Sequence, residues 1–143
     1  MYEKYTRQAL PSKEYRELLG SALCVFNSNN AFVIENILRS DEDNNYNWYE
    51  LMDYESGKLK EPLKNTITKK AGQTIASLFC EIVGMRNRIV HSFQVTHEGE
   101  QILATKERIK DGNGQFTITE EYLLEFIAMN EKLSTELHKF RGF

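Results

Sequence analysis

The sequence has few of the residues on which disulfide-rich scaffolds and metal centres depend. Its 143 residues include only 2 cysteines, 3 histidines and 2 prolines, and its apolar runs are short. Two cysteines are too few for a disulfide scaffold or a cysteine-rich zinc site, and three histidines leave few candidates for acid–base catalysis. The lack of a long apolar run argues against a membrane-spanning helix.

The N-terminus and the cysteines indicate the compartment. The first residues, MYEKYTRQALPSKEYRELL, contain no long apolar stretch, so we expect no signal peptide. Cys24 and Cys80 lie within apolar helical patterns, and we expect each to be a small core residue; nothing in the sequence requires a disulfide. These features predict a cytoplasmic protein without membrane association.

Charge is low overall but unevenly distributed. A formal net charge of -3 excludes attraction of the whole molecule to nucleic acid, so any such binding needs a local basic patch. Residues 41–55 carry six carboxylates and no lysine or arginine, whereas residues 58–70 carry five lysines and one glutamate. An acidic protein can therefore still present a basic surface to RNA.

The length and the 41% of hydrophobic residues suit one domain over residues 1–143 with a buried core. Pro11 and Ser12 begin a predicted helix whose apolar residues recur at spacings of three and four as far as Phe26. The polar stretch 27–30 interrupts this pattern, which then resumes. The sequence is compatible with one bent helix or with two separate helices. An exposed loop and then a short helix around residues 48–54 follow.

The longest predicted helix runs from about Thr66 to about Phe93. Its apolar seam alternates spacings of four and three, and Phe79, Val83 and Val90 widen it. The seam consists of Ala71, Ile75, Leu78, Ile82, Met85 and Ile89. A seam of this length predicts packing against other helices along most of the helix.

Residues 98–119 lack helical periodicity and predict a β-hairpin, because two strand-like segments flank the turn-forming Asp-Gly-Asn-Gly at 111–114. Thr119 then caps a last helix, and Asn130 falls in the middle of its apolar stripe. The sequence therefore predicts a mainly α fold, a bundle of four or five helices with a small β-hairpin inserted before the last helix.

One short motif at the end of the long helix contains residues suited to catalysis. The segment 86–92, Arg-Asn-Arg-Ile-Val-His-Ser, places four residues between an arginine and a histidine, with asparagine directly after the arginine. That spacing alone occurs by chance in a chain of this length. At the end of the principal amphipathic helix, however, the segment resembles the R-x(4–6)-H motif of the HEPN superfamily, in which a polar residue typically follows the arginine.

The resemblance implies a metal-independent endoribonuclease that cleaves single-stranded RNA, uses no cofactor, and works as a homodimer in which two motif helices meet in one cleft. By the same resemblance, Arg86 and His91 are the catalytic residues and Asn87 supports them. Family association further implies a toxin or a phage-defence effector, with any antitoxin on a separate protein chain. The alternatives are a non-catalytic HEPN-type module that binds RNA, a nucleotide or a protein partner, and a plain helical interaction protein.

The chemistry of these side chains fits that activity. RNA cleavage without a metal uses the 2′-hydroxyl as nucleophile, a guanidinium matches the charged phosphoryl oxygens, and an imidazole moves the proton near neutral pH. Residues five apart lie about 140° apart around a helix, so Arg86 and His91 do not share a face. Asn87 and His91, four apart, do, and we expect Asn87 to hydrogen-bond the His91 ring.

Several neighbouring residues have a functional and a structural interpretation. Arg88, Lys69, Lys70 and Ser92 are candidate RNA-binding residues, although lysine clusters are usually solvated and cations favour helix C-termini. His91, His97 and Glu98 match no metal-ligand spacing, so we predict no metal site. The aromatic residues at 46–54 suit base stacking, but packing of their short helix onto the bundle is the favoured interpretation.

Overall fold

The computed structural model describes residues 1–107 and 109–142. Over these residues the chain forms six α-helices and a three-stranded sheet that precedes the last helix. The helices are α1 (Lys13–Ser40), α2 (Trp48–Asp53), α3 (Lys60–Asn65), α4 (Ile67–Ala71), α5 (Thr74–Val90) and α6 (Glu120–Arg141). The strands are β1 (Phe93–His97), β2 (Glu100–Lys106) and β3 (Gln115–Ile118). The predicted mainly α fold with a small hairpin before the last helix is thus confirmed.

The core lies where α1, α5 and α6 meet. Phe26 of α1 is sandwiched between two rings, with centroid distances of 6.4 Å to Phe79 of α5 and 6.1 Å to Phe126 of α6. All three rings are at most 2% exposed. Burial of a phenylalanine contributes about 1.5–3 kcal/mol, so this stack is a principal source of stability. None of the helices over the described residues is both long and apolar enough to cross a membrane.

The first helix runs without a break through the polar stretch 27–30. Asn29 is 7% exposed, and its Nδ2 donates to the backbone oxygen of Asn130 at 2.8 Å and to the Asn130 Oδ1 at 3.0 Å. The unusual polar residue in the stripe of α6 is therefore paired with another in α1. Because these polar groups are satisfied across the helix interface, they need not interrupt the helix.

The predicted helix 66–93 is too long at both ends. Gly72 adopts a φ of 81°, a left-handed conformation that ends α4 and separates it from α5, which begins at Thr74. At the other end, α5 stops at Val90 and Phe93 already belongs to β1. Val90 is 49% exposed and does not widen the buried seam.

The sheet has one strand more than predicted. Strand β1 pairs antiparallel with β2, and the register places Phe93 opposite Ala104 and His97 opposite Glu100. Strand β2 also pairs antiparallel with β3. The additional turn is formed by Glu98 and Gly99, with φ values of 50° and 79°, the left-handed pair of a tight hairpin. The two strands expected within 98–119 are present, and Arg108 in their connection lies outside the described residues.

The two predicted N-caps, Ser12 and Thr119, are confirmed. The Ser12 hydroxyl accepts from the Tyr15 backbone amide, and the Thr119 hydroxyl accepts from that of Tyr122, each at 3.1 Å. The prediction that both cysteines are core residues is wrong, because Cys24 and Cys80 are exposed; they do not form a disulfide. Each lies at the edge of an apolar stripe, where helical periodicity does not separate the buried from the exposed flank.

Candidate active site at the end of helix α5

Arg86 occupies a position in the buried face of α5, four residues after Ile82 and three before Ile89. Its guanidinium carbon lies 5.1 Å from the centroid of the Phe26 ring. The Nε atom is buried, and no hydrogen-bond partner for it exists among the described residues. Burial lowers the pKa of Arg86, and the negative charge of Glu55 acts in the opposite direction. The guanidinium therefore remains charged in a partly desolvated position.

His91 lies directly after α5, in an exposed position with φ -96° and ψ 33°. Its backbone amide donates to the Asn87 carbonyl at 3.0 Å and so closes the helix. Its ring has no hydrogen-bond or ion-pair partner in residues 1–107 and 109–142. The imidazole is thus available for contact with a bound molecule.

The expected hydrogen bond between the side chains of Asn87 and His91 is not formed in the described structure. Shared angular position on a regular helix does not ensure contact, because His91 is the C-cap and its backbone has left the helical conformation. Ser92 is also engaged locally, since its hydroxyl donates to the Ile89 carbonyl at 2.6 Å. A substrate would compete with that bond for the hydroxyl.

Asn87 and Arg88 face a cleft of about 780 Å³ between α5, α6 and the sheet, which we call the α5–α6 cleft. Its lining includes Cys80, Glu81, Gly84, Met85, Asn87, Arg88, Glu107, Asp111, Phe116, Tyr122, Glu125 and Met129. An Arg88 Nη1 donates to the Lys106 carbonyl, and the Tyr122 hydroxyl donates to that of Met85 at 3.2 Å. Burial raises the pKa of Tyr122 to about 12, so this hydroxyl stays protonated at neutral pH.

Lys69 and Lys70 lie elsewhere. They line a different depression, together with the acidic loop that follows α1, and Lys70 forms a 3.1 Å ion pair with Glu42. That depression shares no lining residue with the α5–α6 cleft. The lysine segment therefore faces the acidic loop. Of the two lysines in this depression, Lys70 is already paired with a carboxylate.

The structure thus separates the candidate residues within one chain. Arg86 packs against α1, Asn87 and Arg88 face the α5–α6 cleft, and His91 projects from the helix end. Arg86 and His91 form no hydrogen bond with each other. The separation of about 140° expected for a regular helix does not apply to this pair, because α5 ends at Val90, before His91.

Two interactions of Arg86 were not predicted from the sequence, the contact with Phe26 and the electrostatic influence of Glu55. Phe26 lies 60 positions before it, and Glu55 belongs to a different charge segment, so no local pattern connects either residue with the motif. Only the segregation of acids into residues 41–55 offered a signal, and it did not identify the partner.

The aromatic segment at 46–54 has both a buried and an exposed part. Leu51 is fully buried and anchors α2 on the bundle, as the favoured interpretation requires. Trp48 and Tyr49 are 51% and 77% exposed, with ring centroids 5.3 Å apart in an edge-on arrangement. Rings that pack edge-on against each other do not present two parallel faces to bases.

No metal centre is apparent: among the residues that the structure describes, no group of three or more His, Cys, Asp or Glu side chains is placed to hold an ion. Comparison of the chain with models of known protein families, with curated proteins and with solved structures finds no match. Function must therefore be argued from the residues of this chain and their geometry.

Proposed function

We propose that this protein is an endoribonuclease that cleaves single-stranded RNA without a metal ion, with Arg86 and His91 as catalytic residues and Asn87 supporting them. The observation that supports this proposal is that, within residues 1–107 and 109–142, two chemically complementary groups near one helix end have no polar partner. These are the buried Nε of Arg86 and the ring of His91. Over the same residues, Thr68 and Thr105 also have a buried, unpaired hydroxyl, but an unpaired donor on a charged group costs more, so the Nε of Arg86 supports a role of its guanidinium in binding.

The proposed reaction needs no other group. The His91 imidazole takes the proton of the 2′-hydroxyl, and that oxygen forms a bond to phosphorus. The bond from phosphorus to the 5′ oxygen breaks, and the His91 imidazolium returns the proton to that leaving oxygen. The Arg86 guanidinium binds the phosphoryl oxygens as their negative charge grows. The products are a 2′,3′-cyclic phosphate and a 5′-hydroxyl, and DNA is not cleaved because it lacks the nucleophile.

A homodimer would complete this site. Arg86 and His91 point in different directions within one chain, so a second copy of α5 is needed to bring such groups to one phosphate. Val90 and Phe93, which flank His91, are 49% and 45% exposed and offer an apolar surface for that contact. The toxin or phage-defence role, and a separate antitoxin, rest on the motif resemblance alone.

The decisive test is incubation of 5′-labelled single-stranded RNA with the protein in EDTA. We expect cleavage by the wild type, a loss of about 100-fold or more in His91→Ala, and no loss in His97→Ala. His97 is the matched control, because it is an exposed histidine six positions later and outside the motif. A 2′-deoxy substitution at the cleaved nucleotide should protect the RNA. Wild-type cleavage by His91→Ala would refute the assignment.

One observation favours a second function, a module that binds RNA or a protein without cutting. The guanidinium of Arg86 rests on the Phe26 ring, a contact that a structural arginine also makes. For such a module, the EDTA assay would give a shifted RNA band and no products, and His91→Ala would leave binding unchanged.

A further inference from the structure

The α5–α6 cleft has an apolar floor that the proposed cleavage does not use. Its floor is formed by half-buried side chains of both helices and of β3. These are Met85, Phe116, Tyr122 and Met129, and the rings of Phe116 and Tyr122 lie 5.8 Å apart. Methionine and aromatic side chains adapt to varied partners and offer much apolar area for contact.

Gly84 leaves the backbone of α5 open to this cleft. A Cβ built at Gly84 meets no other atom within 4 Å, so packing inside the chain does not require glycine there. Glycine within a helix is nevertheless destabilising, because it loses the most conformational freedom on folding. The missing side chain keeps the floor accessible to close approach by another molecule.

The rim of the cleft is acidic. Among its described residues, four carboxylates face a single guanidinium, that of Arg88, which is bound to a backbone carbonyl. Glu81, Glu107 and Glu125 form no ion pair within residues 1–107 and 109–142. This arrangement repels a polyanion such as RNA and attracts lysine and arginine side chains.

We propose that the α5–α6 cleft binds a partner protein through a basic amphipathic segment. Apolar side chains of that segment pack on Phe116, Tyr122 and Met129, and its cations pair with Glu81 and Glu125. Because Asn87 also lines the cleft, the partner would lie beside the motif at the end of α5. The proposal does not depend on RNA cleavage.

Fluorescence anisotropy of a labelled synthetic peptide tests the charge requirement. The probe is a helical amphipathic peptide of leucine and lysine, and its counterpart carries glutamate in place of lysine. We expect saturable binding of the basic peptide alone, weakened by salt. The double variant Glu81→Gln/Glu125→Gln should raise Kd about tenfold. The matched control, Glu121→Gln/Glu131→Gln, removes two exposed carboxylates of α6 outside the cleft and should leave Kd unchanged.

A pair of glycine variants tests the location. Gly84→Leu should fill the cleft and abolish peptide binding, whereas Gly20→Leu should not, since Gly20 is an exposed helical glycine of α1 with equally open surroundings. Both substitutions should raise Tm, so lost binding cannot be ascribed to unfolding. Equal binding of the acidic peptide would overturn the proposal, and so would undiminished binding by Gly84→Leu or by the Glu81/Glu125 variant.

Discussion

Replacement of Arg86 by methionine separates a functional arginine from a structural one. If Arg86 is held in the apolar seam for catalysis, its presence there costs stability. Arg86→Met should then stabilise the fold while abolishing RNA cleavage. If Arg86 instead serves the fold through its contact with Phe26, the same substitution should destabilise it.

The expected change in the free energy of unfolding is the sum of three contributions. Removal of the buried, unpaired Nε relieves about 1–3 kcal/mol. Loss of the cation from the Phe26 ring, at 5.1 Å, costs about 0.5–2 kcal/mol. A methionine sulfur near the same ring restores about 0.3–1.5 kcal/mol. The expected net gain in the free energy of unfolding is about 1–2 kcal/mol, or roughly 4 °C in Tm for each kcal/mol.

Urea denaturation followed by circular dichroism measures this change directly. Arg7→Met is the matched control, because Arg7 is exposed and should change the free energy of unfolding by less than about 0.5 kcal/mol. A loss of 1 kcal/mol or more in Arg86→Met, with the control unchanged, would show that the Phe26 contact outweighs the unpaired donor. The reasoning from the orphaned nitrogen would then be refuted.

Three further variants test the fold. Asn29→Ala should lower the free energy of unfolding by about 1–3 kcal/mol, because Asn130 is 1% exposed and its Oδ1 loses a donor. Additive effects of Asn29→Ala and Asn130→Leu in a double-mutant cycle would exclude this coupling. Because the pKa of Tyr122 is raised to about 12, the free energy of unfolding should fall as the pH rises from about 10 to 12. Tyr122→Phe, which also loses the hydrogen bond to Met85, should flatten that decline in urea titrations. Gly99→Ala should cost about 1 kcal/mol by thermal denaturation, because its φ is 79°; an unchanged Tm would contradict the assigned turn.

Local patterns predicted the parts of the fold that depend on local physics. The caps at Ser12 and Thr119 were identified because a hydroxyl satisfies amides within the next turn, whatever the rest of the chain does. The end of the long helix was misplaced because Val90 and Phe93 continue its apolar spacing, although both side chains are about half exposed and Phe93 belongs to a strand. Strand β1 forms because β2 offers it partners, which its own sequence does not reveal.

The candidate site was predictable to the same extent. Its residues were named from the motif resemblance, but the surroundings of Arg86 could not be predicted, because Phe26 and the charge of Glu55 act on it only through the packing of α1 and of the segment after α2. The expected Asn87–His91 hydrogen bond failed for a related reason. It assumed that the helix continues to His91, whereas the chain turns there into the sheet.

The sequence by itself determined that this protein is mainly helical, has a hairpin before its last helix, and has one arginine–histidine motif at the end of an amphipathic helix. These are properties of neighbouring residues, and hydrophobic periodicity and capping express them directly. Only the tertiary structure decided that Asn29 and Asn130 pair, that both cysteines are exposed, and that Arg86 lies on Phe26 with an unpaired nitrogen. Those outcomes depend on which distant residues meet each helix face, because burial and hydrogen bonding are set by packing between elements.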